Sequence, residues 1–378
     1  PGGTNTITGV AGAWLDSTPM LVISGQVKRP DMVGERGVRQ MGFQEIDIIG
    51  IVRPITKYAV TVMEPSSIRY HLEKAVHLAR HGRPGPVWID IPLDVQAALI
   101  DENTLDGFDA AAEMPARKDA TLPDKVARAI ELLGKAERPV MLAGNGIRLA
   151  NAQDGFLKLI DRLGIPVLTT WKAADFIPEA HPLYAGRPGA VGQRGANFTQ
   201  QNADWLMTIG ARLDFGQTAY THASFARGAR KIIVDIDPAE IDKLNMDIDV
   251  AVVADAGDFI REFLRQYDSD MRKTHPAWLR TCKAWQQRYP IIVPAYWKEK
   301  HFVNDYVLID VLSDELGKND LLVPGSSGAC SERTMQAFRA SKGLRIFNTQ
   351  GLGSMGFGIP AAIGGCLASG KKRTISIE

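Results

Sequence analysis

The sequence predicts an α/β protein built on parallel sheets, and three observations carry that prediction. Short apolar runs such as Met20–Ser24 and Pro139–Ala143 lack polar alternation, as buried parallel strands do. Between about 121 and 270, such runs alternate with stretches of helical periodicity, which predicts helices on both faces of a sheet. Glycine-rich turns recur where a strand gives way to a helix, at Gly144-Asn145-Gly146 and at Pro324-Gly325-Ser326-Ser327-Gly328. At 378 residues the chain is long enough for two or three domains of roughly 150 residues each.

In the first segment, to about residue 105, Met20–Ser24 closes at Gly25 and reads as a buried strand. The spacing of Ile68, Leu72, Ala75, Val76 and Ala79 predicts a helix over 66–81, with Glu64-Pro65-Ser66 before it and Gly82 as its stop. Pro86–Pro92 reads as a second buried strand. Residues 101–123, rich in Asp, Ala, Glu and Pro, read as a surface linker. The middle segment predicts helices over 124–133, 151–163 and 255–267, and strands over 139–143, 165–169, 205–209, 231–235 and 250–253. Residues 271–300 are aromatic and basic without a clear period, and read as an irregular connector packed on its neighbours. From Asn304 a third segment predicts a helix over 306–316, a strand over 321–323, a helix near 331–340 and a glycine-rich helix start at Gly351. Lys371–Glu378 reads as a basic turn and a strand cut short, and the start at Pro1 without Met reads likewise as the inside of a longer chain.

Composition narrows the function classes. Hydrophobic residues make up 45% and charged residues 23%, which excludes a disordered chain. Lys plus Arg is 44 against 43 Asp plus Glu, so no charge footprint for nucleic acid or an anionic membrane is present. No apolar run approaches the ~20 residues that span a bilayer. Cys282, Cys330 and Cys366 are too few and too scattered for a disulfide framework or a zinc site, and a reducing, cytoplasmic setting is expected. His71, His77 and His81 lie on or near one helix without metal-ligand spacing, and read as surface residues.

Several stretches are candidates for chemistry. Gly144 and Gly146 follow a strand, but Leu149 stands where a dinucleotide fingerprint wants its third glycine; the turn is either a phosphate cradle or an ordinary tight turn. Asp235, ending a strand in Asp235-Ile236-Asp237-Pro238, could accept from a ribose hydroxyl, and Asp237 is read as the cap of a helix starting at Pro238. Gly186–Gly195, with Arg187 and Arg194, reads equally as an anion cradle or as a flexible loop with solvated charges. Gly325, Ser326 and Ser327, between a strand and a helix N-terminus, suit an anion. Gly351–Gly365 holds six glycines in fifteen positions. Each should destabilise a helix by about 1 kcal/mol relative to Ala, so the stretch points to close approach, by a packed helix or by a bulky cofactor. Phe43-Gln44-Glu45 lies in a loop and Lys57 follows Pro54-Ile55-Thr56; alone, these read as surface residues, Glu45 and Lys57 forming a solvated pair. No Ser/His/Asp arrangement is readable.

Taken in order, these strings resemble the thiamine-diphosphate-dependent decarboxylase and carboligase family, nearest its acetolactate-synthase members. Pro1–Gly9 is similar to the family's Gly-Pro-Gly-x-x-Asn segment, and Asp16–Met20 with Ile23–Gln26 to the strand that follows. Phe43–Asp47, Ile55–Lys57, Gly82–Val87 and Asp90–Gln96 continue the resemblance, and Gly351–Gly365 is similar to its Gly-Leu-Gly-x-Met-Gly-Phe-Gly-x-Pro-Ala-Ala segment. The resemblance implies three doubly wound parallel-sheet domains, the first and last incomplete. Residues 1–115 would be the remainder of a pyrimidine-binding domain with its linker. Residues 116–270 would form a Rossmann-like centre that holds FAD, a nucleotide or nothing. Residues 271–300 would be a connector, and 301–378 the beginning of a diphosphate-binding domain.

For the site, the resemblance implies thiamine diphosphate and Mg²⁺, with the metal ligands and the catalytic glutamate outside this chain. Gly325, Ser326 and Ser327 would lie near the diphosphate. Gly351 belongs to the cofactor segment, Gly353 and Met355 would offer backbone groups to the aminopyrimidine, and Met355 would wedge the cofactor into its bent form. Phe43, Gln44 and Lys57 would lie near the reacting carbon from the partner subunit of a homodimer or homotetramer. The reaction implied is decarboxylation of a 2-oxo acid such as pyruvate and ligation to a second carbonyl, as in branched-chain amino acid biosynthesis. This 378-residue piece alone is expected to be inactive. Glyoxylate carboligase and sulfoacetaldehyde acetyltransferase are the alternatives of the same chemistry; a non-catalytic nucleotide-binding or assembly protein is the alternative of another class. Gly210-Ala211-Arg212-Leu213-Asp214 starts like the family's flavin-contact stretch, but Phe215 and Gln217 stand where a second acidic residue and an arginine are usual, which leaves FAD open.

Overall fold

The structure is a computed structural model that describes residues 1–114, 119–271 and 273–378. The expected boundary between residues 115 and 116 lies outside the described residues. The chain forms two compact units, Pro1–Lys118 with Gly351–Ser354, and Asp119–Gln350 with Met355–Glu378. No described helix is long and apolar enough to cross a membrane.

In the first unit, β1 (Met20–Gln26), β2 (Tyr58–Thr61) and β3 (Pro86–Pro92) form a parallel sheet in the order β1-β3-β2. Central β3 is buried almost throughout. Its side chains alternate between two cores, Val87 and Ile89 against the helix Ile68–Arg80, and Trp88 against Val10, Ile48 and Val52 on the other face. The expectation of a buried strand over 20–24 is not met, since Met20, Val22 and Ser24 are only partly buried on one face. β1 is an edge strand, and Leu21 and Ile23 stand exposed on its outer face.

The second unit carries two parallel sheets. In the larger one, β4 (Pro139–Ala143), β5 (Val167–Thr169), β6 (Tyr184–Gly186), β7 (Trp205–Ile209), β8 (Arg230–Asp235) and β9 (Val250–Val253) are ordered β6-β5-β4-β7-β8-β9. The chain winds outward from β4 to β6, returns to β7 and winds outward the other way, so the topological switch lies between β4 and β7. Met141, Ala143, Met207 and Ile209 face the helices Leu122–Lys135, Gln153–Leu163 and Ala256–Gln266. Val140, Leu142, Leu206 and Ile233 face the opposite core.

That opposite core corrects the expectation of an irregular connector over 271–300. Pro276–Arg288 is a helix, begun by Pro276 at its first position, and it buries Trp278, Cys282 and part of Trp285 against the sheet. Trp278, Cys282 and Trp285 are spaced four and three apart, a helical stripe hidden by the basic residues around it. It crosses the helix Arg194–Gln201 closely, where a Cβ on Gly195 would lie 3.0 Å from the backbone of Trp285 and Gln286.

The smaller sheet has β10 (Leu321–Pro324), β11 (Arg345–Ile346) and β12 (Thr374–Ile377) in the order β11-β10-β12. Two expected helices are shorter than their patterns suggest. In place of one near 331–340, a π-helical turn Ala329–Arg333 leads into Thr334–Ala337, and Phe338 turns extended. In place of one starting at Gly351, the helix is Gly358–Ala368, because Gly353 and Gly356 take φ of +60° and +79°.

Candidate functional site

At the C-terminal ends of β1 and β3, where parallel sheets place their ligands, the first unit has a pocket of about 350 Å³. Pro1 and Gly3 line it together with Ser24–Val27, Phe43, Gln44 and Asp90. Ile46, Ile48 and Leu93 make the wall apolar, and Gln96 adds a polar group. The glycines keep it open, since a Cβ on Gly3 would lie 3.3 Å from Trp88 and one on Gly25 3.1 Å from Gln96 Nε2. A mixed wall of this kind fits a substituted heteroaromatic ring such as the pyrimidine half of thiamine diphosphate.

A partly buried hydrogen-bond relay underlies the pocket. Trp88 Nε1 donates to Ser24 Oγ at 2.8 Å, and the Ser24 hydroxyl donates to Asp90 Oδ1 at 2.5 Å. Gln26 Nε2 donates to Asp90 Oδ2 at 3.2 Å and to Ile46 O at 2.9 Å. Burial pushes the Asp90 carboxyl above its ordinary value, although Ser24, Gln26 and Thr61 donate to it. The relay was not legible as chemistry, because Ser24 and Asp90 are 66 residues apart.

Of the three residues expected at the reacting carbon, Phe43 and Gln44 share the pocket, and both are exposed. Gln44 holds a left-handed backbone, φ +62°. Lys57 is not among the pocket's lining residues. Its Nζ donates to His81 O at 2.6 Å, and burial lowers the ammonium below its usual pKa. Glu45 and Lys57 do not form the expected solvated pair, since the Glu45 side chain is turned into its own loop and accepts from Val33, Met41 and Gly42 N–H. His71 accepts or donates at Tyr58 OH, 2.6 Å away, and His77 stacks on His81 with centroids 3.8 Å apart, so the three histidines are packed against neighbours.

In the second unit, Gly144 and Gly210 end β4 and β7 at the topological switch. Gly144 N–H donates to Ile209 O at 2.9 Å and Gly146 N–H to Gly210 O at 3.0 Å. A Cβ on Gly146 would lie 2.7 Å from Gly210 Cα, so these glycines let two loops cross. Gly144 and Gly146 therefore have no amide left for a dinucleotide. Arg212, φ +58°, donates to Asp214 at 2.7 Å, and Asp235 Oδ1 accepts from Asp237 N. Asp237 caps the helix at Pro238 by accepting from Ala239 N–H, as expected. Gln217 donates to Pro188 O at 3.1 Å.

The Gly186–Gly195 loop is neither an anion cradle nor a solvated strand of charges at Arg187. That residue is 1% exposed, and its guanidinium is spent on protein oxygens. Gly325 ends β10 in close packing, with its N–H on Ile377 O, while Ser326 and Ser327 are more open and lead into the π-helical turn. Met355 is 94% exposed between the left-handed Gly353 and Gly356. Gly351 N–H donates to Asp16 Oδ1 at 3.0 Å within the first unit. Among the described residues, no group of three His, Cys, Asp or Glu side chains is arranged to hold a metal ion.

Residues 1–51, 126–263 and 326–378 match, in order, the N-terminal TPP binding domain, the central domain and the C-terminal TPP binding domain of thiamine pyrophosphate enzymes. The whole chain aligns at 35% identity with the probable acetolactate synthase large subunit of Methanocaldococcus jannaschii, covering 63% of that protein. It aligns along its whole length at 34% with the acetolactate synthase large subunit of Corynebacterium glutamicum, covering 59%, and over 99% of its length at 33% with the isozyme 1 large subunit of Escherichia coli, covering 63%. The chain thus spans about three-fifths of the length of these relatives.

Proposed function

Because the chain belongs to the thiamine pyrophosphate enzyme family, we propose that the whole protein decarboxylates a 2-oxo acid such as pyruvate and ligates the product to a second carbonyl compound, as acetolactate synthases do. The observation that carries this reading is the pocket where Pro1, Phe43 and Gln44 meet at the strand ends of the first unit. Thiamine diphosphate, when bound, supplies the electron sink that decarboxylation needs. The chain's own part is placement and shielding. Gly3 and Gly25 leave room for a ring, Ile48 with the partly exposed Ile46 and Leu93 gives it apolar contact, and Gln44 presents an amide donor and acceptor at the mouth. Ser326 and Ser327 offer hydroxyl groups suited to a diphosphate. Magnesium enters this reading only as the counter-ion of that diphosphate. The amides of Gly144 and Gly146 are already engaged, so neither would hold a flavin diphosphate.

We read the whole protein as a cytoplasmic homodimer or homotetramer of branched-chain amino acid biosynthesis. The test is incubation of the whole protein with thiamine diphosphate, magnesium and pyruvate, followed by assay of CO₂ and acetolactate. Both should form; silence with pyruvate, glyoxylate and other 2-oxo acids would defeat the reading. In the same protein, Met355→Ala should lower kcat by roughly tenfold, about 1.4 kcal/mol of barrier, while cofactor affinity changes less. Equal kcat in titrations of wild type and variant would remove Met355 from the site.

A further inference from the structure

We propose that Glu45 is a positioning residue that fixes Phe43 and Gln44 at the mouth of the first unit's pocket; this rests on the reading of that pocket given above. Glu45 is 8% exposed in a loop whose tip is open to solvent, with Phe43 at 86%. Its carboxylate gathers the loop. Oε1 accepts from Val33 N–H at 2.5 Å, and Oε2 accepts from Met41 N–H at 3.0 Å and Gly42 N–H at 2.9 Å. Glu45 N–H returns to Gly42 O at 3.2 Å, so residues 42–45 form a closed turn with Phe43 and Gln44 at its tip.

The flanks are tied down as well. Gln40 Nε2 donates to Glu45 O, and Gln26 Nε2 holds Ile46 O while also reaching Asp90. The left-handed Gln44 is a conformation that a non-glycine residue keeps only when its surroundings enforce it. Three convergent amides on one carboxylate supply that enforcement, because a carboxylate only accepts. Burial alone would raise the Glu45 carboxyl, but the amides of Val33, Gly42 and Met41, together with the Arg36 charge, outweigh it and hold the group below its ordinary value. Arg36 itself donates to Met32 O and Val33 O on the same loop. Both Glu45 oxygens are occupied, so the residue acts through its neighbours and not on a ligand.

Glu45→Gln is the discriminating change. It keeps the size of the side chain but turns an NH₂ group toward amide donors, whichever way the amide is placed. In the whole protein, amide exchange over residues 33–45 should rise by about tenfold or more at neutral pH, with β1 and β3 unchanged. kcat should fall roughly tenfold while the thiamine diphosphate Kd moves less than about threefold. Wild-type protection should persist above the usual carboxylate range and be lost only as pH falls below it, since the folded-state pKa is lowered. Glu45→Asp, which keeps the charge on a shorter stem, should retain that pH dependence in part. Wild-type exchange over 33–45 in Glu45→Gln would overturn the proposal, as would a loosened loop with undiminished kcat. Wild-type protein that turns over no 2-oxo acid would instead defeat the reading of the pocket, and the exchange data would still decide whether Glu45 holds the tip.

Discussion

Arg187→Ala should lower the free energy of unfolding by about 4 kcal/mol, because three buried neutral acceptors lose one shared charged donor. Arg187 Nε donates to Met335 O at 2.6 Å, Nη1 to the Tyr184 hydroxyl at 2.7 Å and Nη2 to Phe338 O at 2.8 Å. Met335 and Phe338 stand within and just past the four-residue helix Thr334–Ala337, whose last carbonyls have no partner along the helix. With the guanidinium gone, each buried acceptor would be left dry at about 1–3 kcal/mol apiece, less what water recovers. Arg187→Lys should recover only part of this, because an ammonium cannot span three divergent oxygens. Urea unfolding of the two variants measures the effect, and a loss under about 1 kcal/mol for Arg187→Ala would show that the fork contributes little.

The second large effect is expected at Asp175. Its side chain is 2% exposed and accepts from Arg148 Nη2 at 2.6 Å, Arg345 Nη1 at 3.0 Å and Ile346 N–H at 3.0 Å. Arg148 also lies over the Phe176 ring, 4.5 Å from its centroid. Asp175→Ala would leave two guanidinium groups facing each other without their shared anion. Arg345 is partly open to solvent, so its share is screened, and the total loss should be about 3 kcal/mol. The Ile346 amide gives the local readout: its exchange should accelerate in the variant, while β7 and β8 keep theirs. Unchanged exchange at Ile346 would mean that Asp175 does not hold β11 in place.

Much of the fold was legible because parallel strands are buried on both faces. Pro139–Ala143 and Trp205–Ile209, buried at every residue, match their apolar runs residue for residue, as does the edge strand Val250–Val253, in which Ala251 and Val253 are exposed. Short or punctuated elements were not. Tyr184–Gly186 is three residues ending in glycine, and Tyr58–Thr61 is a four-residue strand whose short apolar run, Tyr58-Ala59-Val60, is broken at Thr61. The helix Pro276–Arg288 was missed because its buried stripe is two tryptophans and a cysteine among cations. Motif order singled out Phe43, Gln44 and Lys57, of which Phe43 and Gln44 line the first unit's pocket and Lys57 does not. What side chains do there was not legible. Arg187 reads in sequence equally as an anion ligand or a solvated charge, because its acceptors Met335 and Phe338 lie 148 and 151 residues away. Glu45 looks solvated for a nearer reason, since its partners are backbone amides and leave no side-chain signature.

Trp88 sits beneath the first unit's pocket, fully enclosed, with its indole N–H on a serine that touches a carboxyl whose pKa burial raises. Indole emission responds to the electric field along that bond. A version of the protein in which the other six tryptophans are phenylalanine would therefore carry its own optical gauge of whatever enters above Ser24. Occupancy could then be followed in real time by colour alone, with no label and no turnover.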